Sequence, residues 1–231
     1  FSLMTPRIVF GRGAVASLPK EVLRYGRQVL LVRGRSVRFV DTSIANLQAL
    51  GCTVTTITAA GEPDIAQLLA ALDKARDVQP DCVVAIGGGA VIDLGKALAA
   101  LIPAQHGPMA YLEVVGDGRP LEMAPLPFIA CPTTAGTGAE VTKNAVIGVP
   151  SHNRKVSLRD DRMLAALALV DPALTDNCPR AVTLASGLDA ITQVIEPYLS
   201  ARATPLTDAL CRDAIPRGLN ALARLMESED R

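Results

Sequence analysis

Tryptophan is absent from the 231-residue chain, and all aromatics together make up 3% of it. So little ring surface leaves few platforms on which single-stranded bases stack. Net charge is missing as well. The 23 Lys and Arg balance 23 Asp and Glu, so no basic field draws nucleic acid or an anionic membrane surface. No apolar stretch exceeds eight residues, and the one at residues 97–102 stops at Pro103, far short of a bilayer span. Neither nucleic acid nor membrane is therefore an expected partner. Histidine occurs only at His106 and His152, both in loop-like stretches and both read as surface residues. The five cysteines, Cys52, Cys82, Cys131, Cys178 and Cys211, are scattered with no CxxC pair. That pattern excludes a zinc ribbon or a disulfide framework and points to a reducing, cytoplasmic location. Internal repeats and low-complexity segments are also lacking. The chain starts at Phe1 rather than Met, which leaves room for an upstream segment, a removed targeting peptide included.

What is present is an ordinary globular interior, with 49% hydrophobic and 20% charged residues in a length suited to one or two domains. Short β-branched or apolar runs alternate with helical patterns. Strand character is expected at residues 7–10, 28–32, 53–58, 81–86, 127–130 and 168–170. Between these runs, Ser17 reads as an N-cap with Pro19 in the first turn, Asp41 as the cap of a helix with Ile44, Leu47 and Leu50 on one face, and Asp64 as the cap of a helix through Ala75. Strands separated by helices of this length make βαβ units, hence an α/β fold with a parallel sheet covered on both faces. A hairpin is expected at residues 145–149 and 155–158. After Asp171-Pro172 the strand character ends, and residues 180–200 and 205–226 read as helical. The domain boundary falls near Asn177-Cys178-Pro179, giving an α/β domain at 1–178 and the beginning of a helical domain at 179–231.

Two glycine-rich segments carry the chemistry. Cys82-Val-Val-Ala-Ile86 runs into Gly87-Gly88-Gly89-Ala90 and a helical pattern. Bare N–H groups and the positive end of the dipole at such a helix start bind an anion. The spacing is neither GxGxxG nor a P-loop, and by itself the turn reads equally well as a tight bend. The second segment, Pro132-Thr133-Thr134-Ala135-Gly136-Thr137-Gly138, also follows a buried strand. Loops after strand C-termini converge on one edge of a parallel sheet, so the two are expected to share one nucleotide. The alternative is a hydroxyl-rich turn capping its own backbone. Farther on, Asp189 and Gln193 stand at i, i+4 on one helix face. Without context Asp189 reads as an early-helix carboxylate complementing the dipole.

Taken together these segments resemble the iron-containing (group III) alcohol dehydrogenases. The matching pieces are Thr5-Pro-Arg-Ile-Val-Phe-Gly-Arg-Gly-Ala14, Gly87-Gly-Gly-Ala-Val-Ile-Asp93, Pro132-Thr-Thr-Ala-Gly-Thr137 with Glu140-Val-Thr142 and Asn144, Val170-Asp-Pro172, and Ser186-Gly-Leu-Asp189 through Tyr198. They are co-linear across almost the whole chain. The resemblance implies a dehydroquinate synthase-like architecture: a Rossmann-like, nucleotide-binding parallel-sheet domain followed by an all-helical domain, with the active site in the cleft between them. It implies that Gly87, Gly88, Gly89 and Ala90 hold the cofactor diphosphate and that Thr133, Thr134 and Thr137 line the adenosine and phosphate side. Asp93, Asn144, Lys155 and Val182 would lie along the nicotinamide half. Lys155 also reads as one charge of a solvated Asn153-Arg-Lys turn.

The family's NAD-preferring members tend to carry an acid after the second strand. Here that place falls on Gly34, flanked by Arg33 and Arg35 and followed by Ser36. A small residue with arginines accommodates a 2′-phosphate, so among the NAD(P)(H) cofactors NADP(H) is expected. The family's metal site has one aspartate and three histidines. Asp189 matches the aspartate, while the first histidine place is Gln193, a neutral oxygen donor. The last helix stops where the family continues, so the sequence reads as part of a longer enzyme, inactive alone. In the full protein a divalent metal, Fe2+ or Zn2+, would polarise the oxygen of an alcohol or carbonyl substrate during hydride transfer. Assembly as a homodimer or larger is implied. Two other readings stay open: a metal-independent reductase of the maleylacetate reductase type, to which Gln193 lends weight, and a non-catalytic nucleotide-binding module.

Overall fold

The computed structural model describes residues 4–35 and 39–228. The described residues divide into two compact units, one drawn from Phe1–Pro132 with Ala139–Pro172, the other from Thr133–Gly138 with Ala173–Arg231.

The first unit is built on a parallel sheet of six strands: β1 (Arg7–Phe10), β2 (Gln28–Arg33), β3 (Thr53–Thr58), β4 (Cys82–Gly87), β5 (Phe128–Pro132) and β8 (Leu167–Val170), in the order β1-β8-β5-β4-β2-β3. A short α1 (Leu18–Val22) precedes β2. Three longer helices make the crossovers: α2 (Phe39–Ala49) from β2 to β3, α3 (Ile65–Val78) from β3 to β4, and α4 (Gly89–Leu101) from β4 to β5. Both faces of the sheet are covered, which is why the central strands read as unbroken apolar runs. Leu30, Val32, Val83, Ala85, Phe128 and Ala130 share one core with α3, α4 and the hairpin described next. The alternate residues Val29, Leu31, Val84 and Ile129 are buried as well, as are Leu18, Val22, Val40 and Leu47 of α1 and α2. Leu68, Leu72, Leu94 and Leu98 are essentially removed from water, each worth about 1.5–3 kcal/mol relative to exposure. α4 lies close on the sheet because Gly95 has no side chain: a Cβ there would stand 2.8 Å from Ala85 Cβ.

The hairpin is β6 (Asn144–Val149) with β7 (Arg154–Arg159), antiparallel. Ala145, Ile147 and Val149 turn inward and are buried, while Gly148 N–H donates to Pro63 O at 2.8 Å beside the start of α3. In the second unit α5 (Arg180–Leu199) and α6 (Pro205–Ser228) pack closely at glycines. A Cβ on Gly187 would come within 2.6 Å of Leu222 Cδ1. An apolar groove of about 280 Å³ runs along the pair, lined by Ile191, Val194, Ala214 and Leu225 among others.

Several local expectations need correction. Ser17 occupies the N-cap place of α1 but its hydroxyl donates back to Ala14 O at 2.8 Å, so it caps nothing. α2 starts two residues before Asp41, whose carboxylate pairs with Arg33 instead of the helix start. Its buried stripe is Val40, Ser43 and Leu47, and Leu50 lies past its end, exposed. Asp189 is not an early-helix carboxylate, since the first turn of α5 holds no acid. Asp64 does cap α3, accepting from Gln67 N–H at 2.8 Å.

Candidate functional site

From β2 the chain crosses to β3 on one side; from β4 it crosses to β5 on the other. The C-terminal ends of β2 and β4 therefore flank the point where strand order reverses, the crevice in which open α/β sheets bind ligands. Arg33 and Ile86 are register partners there, as are Gly87 and Pro132 across the next pair. Gly34 N–H reaches Ile86 O at 3.3 Å. Gly34 and the glycine turn thus meet at one place.

Glycine at 87 is a steric necessity. A Cβ on Gly87 would lie 2.5–2.8 Å from three atoms of Val91, because β4 passes into α4 almost without a loop. Gly87, Gly88 and Gly89 avoid the left-handed region, and Gly88, the N-cap, is extended at φ −73 and ψ −178. Its carbonyl accepts from Val91 N–H at 2.9 Å and from Ile92 N–H at 3.1 Å. No side chain caps this helix and no acid sits in its first turn. The first-turn N–H groups of Gly89 and Ala90 therefore face outward from a 13-residue helix, with no intrahelical acceptor. This donor set suits a diphosphate.

One turn further along α4 lie two charged residues in an otherwise apolar helix. Asp93 is half-buried. Desolvation raises its carboxyl to about 6, with Lys96 and the Val146 N–H pulling the other way. Lys96 is 1% exposed. Its Nζ donates to Ala139 O at 2.6 Å, Thr142 O at 2.8 Å, Thr142 Oγ1 at 2.9 Å and Asn144 O at 2.9 Å. Burial lowers Lys96 to about 8, opposed by Asp93 and Glu140. Asn144 Nδ2 donates in turn to Ser157 Oγ at 3.2 Å. Lys96 so joins Asn144 O, at the start of β6, to the face of α4 that also carries Asp93. Sequence reasoning had passed over Lys96. The available signal was a lysine alone among Leu94, Gly95, Ala97, Leu98 and Ala99. Asp171, matched only as part of a motif, is 1% exposed and accepts from Gly13 N–H and Val15 N–H, both at 3.0 Å, fixing the turn after β1.

The remaining expected residues stand as follows. Arg35 is exposed, Arg33 pairs with Asp41, and Ser36 lies outside the described residues. Lys155 pairs with Glu62 and its side chain is 63% exposed. In the second unit, Thr133 and Thr134 are half-buried and Thr137 exposed. A Cβ on Gly136 would come within 2.6 Å of Ser186 Cβ, so that loop lies directly on α5. Val182 is exposed on α5. Asp189 and Gln193 are exposed too, and Gln193 Nε2 donates to Asp189 Oδ2 at 2.7 Å. That bond leaves Gln193 Oε1 and Asp189 Oδ1 outside it, and among the described residues no cluster of three His, Cys, Asp or Glu is found. Cys131 stands beside Ile86 in the sheet, but burial pushes its thiol up to about 12. It offers no thiolate.

Comparison with known proteins gives a consistent picture. A family profile described as iron-containing alcohol dehydrogenase matches residues 5–172. Long-chain-alcohol dehydrogenase 1 of Geobacillus thermodenitrificans is 38% identical over 221 residues, 90% of this chain and 55% of that protein. NAD-dependent methanol dehydrogenase of Bacillus methanolicus is 32% identical over 216 residues, 91% of this chain and 55% of that protein. Among solved structures, sulfoacetaldehyde reductase from Bifidobacterium kashiwanohense in complex with NAD+ superposes with a TM-score of 0.88 at 28% identity, covering 99% of this chain and 61% of that one. The chain spans a little over half the length of the curated relatives it matches. Among the described residues no helix is long and apolar enough to cross a membrane.

Proposed function

Since the chain belongs to the iron-containing alcohol dehydrogenase family, we propose that it is the dinucleotide-binding part of an NAD(P)-dependent oxidoreductase that interconverts an alcohol and its aldehyde or ketone. The observation that carries this reading is the uncapped start of α4 at the sheet's switch point. Bound there, a nicotinamide dinucleotide supplies the hydride donor or acceptor. The chain's own contribution is placement. The N–H groups of Gly88, Gly89 and Ala90 hold the diphosphate against the positive end of the helix, and Gly87 lets β4 and α4 approach closely enough to present them. Asp93 and Asn144 border the next part of the ligand. On the family resemblance alone, Thr133, Thr134 and Thr137 serve the phosphate and adenosine side, and Lys155 and Val182 the nicotinamide half.

At the ribose end Gly34 brings no carboxylate, and Arg35 is an exposed cation. Both favour NADP(H), while NAD is named in two of the relatives. Titrating the chain with NADPH and with NADH, followed by nicotinamide fluorescence, decides between them. Tighter NADH binding removes the argument from Gly34 and Arg35; binding of neither removes the reading itself.

The metal part of the family's chemistry is not held by these residues alone. Asp189 and Gln193 are the two places the resemblance offers, and Gln193, a neutral oxygen donor where the family has histidine, supports as second reading a reductase that needs no metal. Activity of the full-length protein surviving a strong chelator supports that alternative. Assembly as a dimer or larger is supported by β1, an edge strand with Ile8 and Phe10 exposed. Light scattering reads it. The five free thiols support a reducing, cytoplasmic setting.

A further inference from the structure

A buried lysine is costly unless its charge is met on every side. Lys96 meets four oxygens with three N–H donors. Three of those oxygens are backbone carbonyls of one short stretch, Ala139, Thr142 and Asn144, which leads into β6. The fourth, Thr142 Oγ1, passes its own proton on to Ala139 O at 3.2 Å. One turn nearer the glycine bend, Asp93 faces the backbone N–H of Val146 on the same strand, which holds its carboxyl down against burial. At i and i+3 the two side chains share a face of α4, and that face is the one the hairpin covers, with Ala145 and Ile147 in the shared core. Apolar contact alone sets no register between a helix and a hairpin. A four-oxygen ammonium does, because each carbonyl has only one distance and direction at which the charge remains satisfied.

We propose that Lys96 is a positioning residue of the dinucleotide site: it locks the segment from Ala139 to Asn144 onto the helix whose start holds the diphosphate, so that Asn144 and the hairpin stand at a fixed height above that start. Lys96 touches no ligand itself. Its effect falls on the part of the dinucleotide beyond the diphosphate. This rests on the reading of α4 as the dinucleotide site, and it adds which residue makes that site a rigid two-sided one.

The test uses the 231-residue chain, with Lys96→Met to keep length and remove charge, and with ADP and NADPH as separate probes in calorimetric titration. ADP reports the diphosphate grip; NADPH adds the half that must meet the hairpin. The expected result is ADP affinity preserved within about twofold and NADPH affinity weakened by about tenfold or more. Amide exchange of Ala145, Ile147 and Val149 should accelerate in the same variant. Equal losses for both ligands, or no loss for either, overturn the proposal and leave the site reading intact. A wild-type chain that binds neither ligand defeats the site reading and this proposal together. Should Lys96→Met fail to fold, Thr142→Val removes one oxygen from the same ammonium. The same split between the two ligands, smaller in size, is then expected, and its absence overturns the proposal.

Discussion

Gly87→Ala adds one methyl group where none fits. Its Cβ would sit 2.5 Å from Val91 Cγ2, 2.6 Å from Val91 Cβ and 2.8 Å from Val91 Cγ1. Rotating Val91 cannot relieve all three contacts, since one of them is its own branch point. Either the end of β4 or the first turn of α4 must move. Overpacking of this kind costs about 1–3 kcal/mol, and in a unit of this size about 2 kcal/mol lowers Tm by about 4–8 °C. The same shift displaces the Gly88, Gly89 and Ala90 amides, so dinucleotide affinity should fall by about tenfold or more. Circular dichroism during heating and fluorescence titration measure the two effects. A cycle with Val91→Ala isolates the cause. Val91→Ala removes Cγ1 and Cγ2 but keeps the Cβ contact at 2.6 Å, so the cost of Gly87→Ala should shrink in that background without vanishing. Full stability of Gly87→Ala alone, or an undiminished cost when it is combined with Val91→Ala, refutes the steric argument.

Other perturbations follow from the same geometry. Asp93 carries a folded-state value of about 6 against 3.8 ordinarily, so between those pH values the folded chain holds a proton that the unfolded chain has lost. Its contribution to stability therefore declines as pH rises through that window, by about 3 kcal/mol. Denaturant unfolding of wild type and Asp93→Asn, from about pH 3.5 to about pH 7 to span that window, should show the decline in wild type alone; parallel curves defeat the argument. Asp171→Ala leaves the Gly13 and Val15 amides without their buried acceptor and should cost about 2–4 kcal/mol in urea unfolding, with Asp171→Asn costing less. Arg35→Asp should weaken NADPH about tenfold or more while sparing NADH; an unchanged ratio places the 2′-phosphate elsewhere. Asp189→Ala should leave both stability and dinucleotide affinity of this chain within about 0.5 kcal/mol, as expected of an exposed residue.

The central strands were legible because burial on both faces turns them into apolar runs such as Val29 to Val32 and Cys82 to Ile86. Asp64 was legible because its capping partner is three residues away. Ser17 and Asp41 were misread for a shared reason. A hydroxyl or carboxylate near a helix start has other partners within reach, Ala14 O in one case and Arg33 in the other. At the candidate site the bare helix start could be read from the glycines, whereas the meeting of Gly34 with the glycine turn depends on β2 lying next to β4, and the alternation of strands and helices does not give that order. The lysine clamp could not be read either. Its acceptors lie 43–48 positions away, and three of the four are carbonyls, which every residue has. The need for glycine at 136 is likewise set by Ser186, fifty positions on, and no periodicity records such a contact.

The most direct measurement is an amide NMR titration of the isotopically labelled chain with NADPH. Saturable shifts of the Gly88, Gly89 and Ala90 N–H resonances, moving together with a single dissociation constant, are the expected result. Saturation at other amides while these three stay unmoved would contradict the assignment of the helix start as the diphosphate site.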